Sequence, residues 1–274
     1  MRSYIDRLEY AFYKRHIDAL KPAYDYVFDF GGKAKENCLK LLKAKYRAEF
    51  ILYLWDDLDQ VGPIKHTFPY FDRKFIFNEE DAKTPGFAYR ANFFVDAYRY
   101  AGQDKDIDVF YKATARDKSR ARVVQAVGEQ LKQHRLNVSL FAKGGYSRNF
   151  RKVTSRSFFK QWCNQQYLSL AQMAEMTKRA HTLLDIAYQD QKGLGLRPIE
   201  AIAANCKLIT TNPHIRGYDF YNENNIFLLS PDLSNLGQLP AFLAQPFAPY
   251  PEALKRKYSV DGFVEGIFAP NSMG

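Results

Sequence analysis

Cysteines and long apolar runs are scarce in this sequence. Its 274 residues include only three cysteines, Cys38, Cys163 and Cys206, whose wide spacing forms neither a metal-binding pattern nor a plausible disulfide framework. The longest apolar runs have the length of a strand, which predicts no transmembrane helix. The first residues carry a charge every few positions and lack the apolar stretch of a signal peptide. These absences predict a cytoplasmic protein with reduced thiols.

Several motifs that carry enzyme chemistry are also missing. No Gly-x-Ser-x-Gly elbow and no Walker motif is present, which argues against hydrolases and NTPases. The five histidines show no metal-binding spacing. Asp57-Leu58-Asp59 spells a metal-binding triplet, but so short a triplet often occurs by chance. We therefore predict no metal ion and no bound cofactor.

Acidic residues are absent from one long stretch, although the chain as a whole has a net charge of +10. Between Glu129 and Glu175 all charged side chains are basic: Lys132, Arg135, Lys143, Arg148, Arg151, Lys152, Arg156 and Lys160. This excess favours an anionic partner, either a phosphate-bearing ligand or the inner face of the cytoplasmic membrane. A solvated basic face is the alternative. Nucleic acid is disfavoured, because no recognition-helix, zinc or single-strand-binding signature accompanies the charge.

Short β-rich runs alternate with helical patterns along the whole chain, as is typical of βα units around a parallel sheet. A polar stretch at residues 101–106 separates two such series. The sequence therefore predicts an α/β protein with two Rossmann-like domains, residues 1–104 and 105–274. The predicted strands are 24–30, 50–55, 74–77 and 88–95 in the first domain, and 107–111, 138–141, 183–188, 208–211 and 225–229 in the second.

The most informative segment is a strand, glycine loop, helix and strand between Leu184 and Asn212. Gly193 and Gly195 allow a ligand to approach the backbone just before the helix. We expect the helix to begin at Pro198, whose φ is preset and which needs no N–H partner. Free N–H groups at the helix start, together with Lys192 and Arg197, make a site suited to a diphosphate.

Two further positions in this helix have a predicted role. Asn205 stands where a helix needs a left-handed cap. Glu200 in the first turn has two interpretations. It either accepts hydrogen bonds from a ribose diol whose pyrophosphate lies at the helix end, or merely complements the helix dipole.

A family resemblance is carried by three runs: Gly193-Leu194-x-x-Arg197-x-x-Glu200-Ala201-x-Ala203-Ala204, Lys207-Leu208-Ile209-Thr210-Thr211-Asn212, and Tyr218-Asp219-Phe220-Tyr221-Asn222-x-Asn224-Asn225-Ile226. The chain resembles bacterial lipopolysaccharide and capsular-polysaccharide biosynthesis proteins, a divergent branch of the GT-B glycosyltransferases. The resemblance is strong over about residues 106–268 and fainter over 24–94. It implies that the C-terminal domain holds a nucleotide sugar and that Glu200 is the ribose-binding carboxylate.

The sequence departs from the family pattern in three places. The second glutamate of many GT-B donor sites is replaced by Leu208 or Lys192, and the glycine after Ala203-Ala204 is Asn205. No β-α-β unit precedes the strand at Tyr24, so the N-terminal domain is predicted to be abbreviated.

Two loops are further candidates for binding the sugar donor. Thr114, Arg116 and Arg120 follow the first strand of the second domain and could contact the phosphates. They could equally be an exposed basic helix start. Polar groups from Tyr218 to Asn225 could hydrogen-bond the sugar or merely form Asx turns.

Candidate catalytic carboxylates follow strands of the first domain, because ligands of parallel sheets gather at the carboxyl ends of strands. Asp56 or Asp57 is the candidate general base for the acceptor hydroxyl, and Asp29 is a rival. The predicted function is transfer of a sugar from a nucleotide sugar to a lipopolysaccharide, capsule or lipid-linked glycan acceptor. The alternatives are a non-catalytic nucleotide-binding or scaffold module and, less favoured, a different Rossmann enzyme such as an epimerase. The latter lacks support because no Gly-x-Gly-x-x-Gly follows a first strand.

Overall fold

The computed structural model describes residues 2–114, 118–134, 136–143, 168–188 and 191–269. The chain forms two compact units. Unit 1 comprises Met1–Ala91 together with Val264–Gly274, and unit 2 comprises Asn92–Phe263. The chain thus leaves unit 1 after Ala91 and returns to it at Val264, whereas the sequence predicts a single boundary, after residue 104.

Unit 1 is built on a four-stranded parallel sheet in the order β1-β2-β3-β4. Its elements are α1 (Arg2–Asp18), β1 (Tyr26–Phe30), α2 (Glu36–Lys45), β2 (Glu49–Leu54), a 3₁₀ helix (Gly62–Tyr70), β3 (Arg73–Ile76), α3 (Glu79–Ala82) and β4 (Ala88–Tyr89). Every residue of β2 from Phe50 to Leu54 has no exposed surface, as expected for a central strand covered on both faces.

The fourth strand is shorter than predicted. The sequence predicts a strand over residues 88–95, but pairing with β3 ends after Ala88 and Tyr89. Further along, the Phe94 N–H donates to the Tyr258 carbonyl and the Phe94 carbonyl accepts from Val260. The backbone of this segment thus satisfies its hydrogen bonds elsewhere, and the apolar pattern alone could not reveal that exchange.

Unit 2 contains a five-stranded parallel sheet in the order β6-β5-β7-β8-β9. Its strands are β5 (Ile107–Thr114), β6 (Val138–Lys143), β7 (Ala180–Asp185), β8 (Lys207–Thr210) and β9 (Ile226–Leu228). Its helices are α4 (Lys118–Gln133), α5 (Leu170–Arg179), α6 (Leu196–Ala203), α7 (Leu239–Ala244) and α8 (Glu252–Lys257), and α9 (Val260–Phe268) follows. Two short 3₁₀ segments, Pro213–Gly217 and Leu236–Gln238, lie between them. The α/β class and the parallel sheets predicted from the sequence are confirmed.

The third strand of this sheet lies earlier than predicted. The sequence places it at residues 183–188, but β7 begins at Ala180, directly after the last residue of α5, and ends at Asp185. Pairing of Ala180 with Ile107 and of Thr182 with both Val109 and Lys207 fixes this register. As a result, Asp185 lies at the carboxyl end of β7 rather than inside the strand.

The strand order places a crevice in unit 2. From β5 the described chain proceeds to β6 on one side and then to β7 on the other. In open parallel sheets the crevice at such a reversal, outside the carboxyl ends of the strands, is where ligands bind. A ligand site is therefore expected at the carboxyl ends of β5 and β7.

Candidate nucleotide-binding site

Helix α6 begins beside this crevice. Its second residue, Arg197, donates from Nη2 to the carbonyl of Lys112 in β5 over 3.0 Å. The first N–H groups of the helix, those of Leu196 and Arg197, have no partner within the helix because no preceding turn exists. Arg197 thus ties the start of α6, where the first N–H groups have no intrahelical partner, to the strand that borders the crevice.

The helix begins two residues earlier than predicted. The sequence places Pro198 at the first helical position, but α6 begins at Leu196 and Pro198 is its third residue. The missing N–H of proline costs little there, since the third N–H of a helix also has no intrahelical partner. The predicted left-handed cap is confirmed, because Asn205 has φ of 51°. The Cys206 and Asn205 N–H groups donate to Ala201 and Ile202, which is a Schellman ending.

The loop before the helix is held from inside the protein. The carbonyl of Gly193 accepts hydrogen bonds of 2.9 Å from the side-chain amides of both Gln191 and Asn212. Gly195 is the N-cap with φ of −65°, so its backbone does not demand glycine. Lys192 is half-buried. Asn212, which is almost fully buried, is therefore a structural support of the loop that the sequence analysis missed.

A buried ion pair lies one turn into α6. Arg197 Nη1 and Glu200 Oε2 are 3.0 Å apart, and their side chains are 15% and 9% exposed. Neither of these two atoms makes a hydrogen bond within the described residues. A buried carboxylate oxygen with spare accepting capacity is unusual in a folded protein. Apart from the ion pair with Arg197, this oxygen therefore keeps capacity to accept a hydrogen bond.

Two residues that sequence reasoning missed face this pair. The Tyr98 hydroxyl is hydrogen-bonded to Glu200, and burial followed by the nearby Glu200 charge raises the pKa of Tyr98. Asp185 accepts a hydrogen bond of 2.9 Å from Thr210 Oγ1. Desolvation raises the pKa of Asp185, opposed by the Thr210 hydrogen bond and the Arg197 and Arg120 charges. Its position after an apolar run was a usable signal. Nothing local to Tyr98 marked it.

The predicted donor loop after β5 is only partly described. Thr114 is the last residue of β5, and Arg116 lies outside the described residues. Arg120 is buried, with its guanidinium 3.7 Å from the centroid of the Tyr188 ring. The influence of Arg120 on the Asp185 pKa places it near the cluster.

The loop from Tyr218 to Asn225 is bound largely to its own unit. The Asn225 side chain has no exposed surface, and it donates to the Ala248 carbonyl and accepts from the Ala248 N–H. Both of its polar atoms are thus used within unit 2, which favours a structural role. Tyr218 is half-buried at the end of a 3₁₀ segment.

The three candidate catalytic carboxylates of unit 1 have different surroundings. Asp57 is 3% exposed and accepts a hydrogen bond of 2.7 Å from the Asn78 amide. Asp29 accepts from the backbone N–H groups of Lys33 and Ala34, so it fixes the loop after β1. Asp56 is half-buried and keeps the greatest access to solvent of the three.

Two properties of the described part of the chain bear on partners. Within it, no group of three or more histidine, cysteine, aspartate or glutamate side chains is placed to hold a metal ion. None of the helices in the same residues is long and apolar enough to cross a membrane.

Comparison with solved structures shows a GT-B-like fold. One similar structure is an α,α-trehalose-phosphate synthase (UDP-forming) from Burkholderia xenovorans. The match covers 94% of this chain and 76% of the synthase chain, with 11% identity and a TM-score of 0.61. Another is a UDP-GlcNAc 2-epimerase from Neisseria meningitidis bound to UDP-GlcNAc. The match covers 93% of this chain and 78% of the epimerase chain, with 10% identity and a TM-score of 0.56. The fold is therefore similar to that of both a UDP-forming synthase and a UDP-GlcNAc 2-epimerase.

A third similar structure is the GtfA/B complex, at 12% identity and a TM-score of 0.58. It matches 96% of this chain, but this chain spans only 59% of it. No protein-family model matches the sequence, and no curated protein does either.

Proposed function

We propose that unit 2 binds a nucleotide sugar at the start of α6 and that the protein is a glycosyltransferase. The observation that carries the proposal is the buried Glu200 Oε2, which is ion-paired with Arg197 but accepts no hydrogen bond from the described residues. It lies in the helix whose first N–H groups have no intrahelical partner, at the strand-order reversal. The similarity to UDP-forming and UDP-GlcNAc-binding structures supports a uridine nucleotide.

The residues of the site suit the two halves of such a ligand. Glu200 would accept hydrogen bonds from the ribose hydroxyls. The N–H groups at the helix start, Lys192, Arg197 and Arg120 would stabilise the diphosphate, which becomes the leaving group during transfer. Donors fixed in advance by the fold lower the barrier, since they need no reorganisation as negative charge develops. Thr114, Arg116, Gly193, Gly195 and Tyr218 remain predicted donor-site residues. The sequence also predicts Asn225 to bind the donor, but its side-chain polar atoms are already hydrogen-bonded to Ala248.

For the acceptor side, we propose a hydroxyl of a lipopolysaccharide, capsule or lipid-linked glycan. Asp56 is the preferred general base, because Asp57 and Asp29 already accept hydrogen bonds from their own unit. We expect Asp56→Asn to cut turnover roughly 10²–10⁴-fold while sparing donor binding, as for loss of general-base assistance. Asp59→Asn, which alters an exposed carboxylate of the same loop, is the control.

Calorimetric titration with UDP tests the nucleotide site. Glu200→Gln should weaken UDP binding by about 1–3 kcal/mol, because polar partners lose a charged acceptor. Glu175→Gln, at an exposed glutamate of α5, should bind like the wild type. Equal UDP affinity in both variants would remove Glu200 from the site. We also predict that EDTA leaves binding and turnover unchanged.

Turnover separates the candidate activities. Incubation with UDP-GlcNAc and other nucleotide sugars should release UDP only when a glycan acceptor is present. Epimerised sugar without acceptor would instead establish an epimerase. A non-catalytic module is favoured by the internal hydrogen bonds of Asp29 and Asp57, and it predicts tight UDP binding with no turnover of any donor.

The acid-free basic stretch supports an anionic membrane surface as a further partner of the protein. Most of that stretch lies outside the described residues. Binding to vesicles that contain anionic lipid should fall steeply with salt, because charges are screened beyond about 10 Å at 0.1 M. Salt-insensitive binding, or no binding, would favour a solvated basic face.

A further inference from the structure

A second cavity lies at the other end of the unit 2 sheet. Its volume is about 620 Å³, which is within the range of small-molecule sites. It is lined at the amino ends of β5, β7 and β8 by Asp108, Thr182 and Lys207, and its walls include Leu136 and Leu243. None of the residues proposed to bind the nucleotide belongs to it.

Two lysines line this cavity without carboxylate partners. Lys207, which is 4% exposed, donates to the carbonyls of Phe242 and Gln245 at the end of α7. Lys105 donates to the carbonyls of Ala180 and Ala204 over 2.6 and 3.0 Å. Within the residues that the structure describes, neither lysine forms an ion pair. Carbonyls of helix ends offset part of this positive charge, but a buried cation without a counter-ion is costly.

The floor of the cavity offers unused hydrogen-bonding capacity. The Thr182 hydroxyl is buried, with the residue 1% exposed, and it has no partner among the described residues. The Asn205 side-chain oxygen is also buried and has no hydrogen-bond partner among the described residues. An ammonium has three N–H donors, and the Lys207 hydrogen bonds given above account for two of them. Burial also lowers the pKa of Lys207, which marks the cost of holding its charge there.

We propose that this cavity is a second ligand site that takes a small amphipathic anion. A carboxylate or phosphate monoester head would meet Lys207 and Thr182, and an apolar chain or ring would lie along Leu136, Leu243 and Phe247. The cavity lining also includes the Asp108 carboxylate, but its Oδ2 accepts from the Asn137 N–H and it pairs with neither lysine in the described residues. The bound anion would therefore supply the counter-charge for Lys207. This assignment is independent of the proposed nucleotide site, which lies at the carboxyl ends of the strands.

Calorimetric titration with octyl phosphate, octanoate, 1-octanol and inorganic phosphate tests the site. Both amphipathic anions should bind the wild type at least about tenfold more tightly than 1-octanol, which has the chain without the charge, and than inorganic phosphate, which has the charge without the chain. The stronger of the two anions identifies the head group. Saturation with UDP should leave their affinity unchanged.

Three variants separate ligand binding from stability. Lys207→Met should weaken anion binding about tenfold or more and leave 1-octanol binding unchanged. Lys255→Met, at a buried lysine of α8 that pairs with Glu252, should bind like the wild type. Leu243→Trp should abolish binding of all three octyl compounds by filling the cavity while Lys207 stays in place.

Three results would each overturn the site. One is anion binding no tighter than that of 1-octanol, which would leave the lysines as caps of helix ends. The second is wild-type affinity in Leu243→Trp, and the third is displacement of octyl phosphate by UDP. Either of these would place the ligand outside this cavity. If Lys207→Met fails to fold, Leu243→Trp with its intact charge still decides between these outcomes.

Discussion

Deleting one partner of the buried Arg197–Glu200 pair should destabilise unit 2, and Glu200→Ala is such a deletion. Breaking a buried pair by deleting one partner costs about 3–5 kcal/mol, because the other charge stays desolvated. We expect the lower half of that range. Arg197 keeps its hydrogen bond to the Lys112 carbonyl, and its charge still acts on buried Asp185. The Tyr98 hydroxyl, in contrast, loses an acceptor.

Urea unfolding followed by far-ultraviolet circular dichroism measures this loss. The midpoint should fall in Glu200→Ala with little change in the denaturant slope, since the surface exposed on unfolding is the same. The matched control is Glu175→Ala, which breaks the pair with Lys178 at a glutamate side chain that is 53% exposed. That change should cost at most about 0.5 kcal/mol, as for surface pairs one turn apart.

A double variant tests the cause of the effect. Adding Arg197→Met to Glu200→Ala removes the stranded charge. The double variant should therefore lose less unfolding free energy than the two single variants lose together, by at least about 1 kcal/mol. If Glu200→Ala costs no more than Glu175→Ala, the pair is not desolvated and the reasoning is refuted. Additive losses would show that Arg197 and Glu200 stabilise the unit independently.

Three further predictions rest on other contacts. Gly32→Ala should destabilise unit 1 by about 1–2 kcal/mol, because Gly32 has φ of +63° and an added Cβ would lie 2.1 Å from Ile64 Cδ1. Gly62→Ala, where a Cβ meets nothing within 4 Å, should leave the urea midpoint within about 0.5 kcal/mol of wild type. The raised pKa of Asp185 means that the folded state holds its proton more tightly, so this group's contribution to stability falls as pH rises above the ordinary value of 3.8. Asp185→Asn should therefore flatten the fall in unfolding free energy between pH 4 and pH 7, and an unchanged pH slope would contradict the shift. Burial raises the pKa of Cys206 to about 11, so at pH 8 only about 0.1% of this thiol is ionised. With the two other cysteines replaced by serine, Cys206 should react with a disulfide reagent only after unfolding, and prompt reaction of the folded protein would show that it is accessible.

Local patterns in the sequence determined most of the secondary structure. Runs such as Phe50–Leu54 and Leu208–Thr210 encode buried parallel strands because both faces of such strands must be apolar. Asn205 marked the end of α6, because few residues other than glycine tolerate a left-handed cap. The three-residue spacing of Arg197 and Glu200 also sets their pairing on one helix face. These features depend on neighbours within one turn or one strand.

Tertiary structure decided which of the predicted polar residues have free chemical groups. Tyr98 is hydrogen-bonded to Glu200, 102 positions away in the sequence. The Asn78 amide donates a hydrogen bond to Asp57, which the sequence predicted as a candidate general base. The strand register placed Asp185 at a strand end. It also brought the amino end of β8 to the cavity that Lys207 lines. Such contacts join residues far apart in the chain. They follow from how sheets and helices pack, which no short sequence pattern specifies.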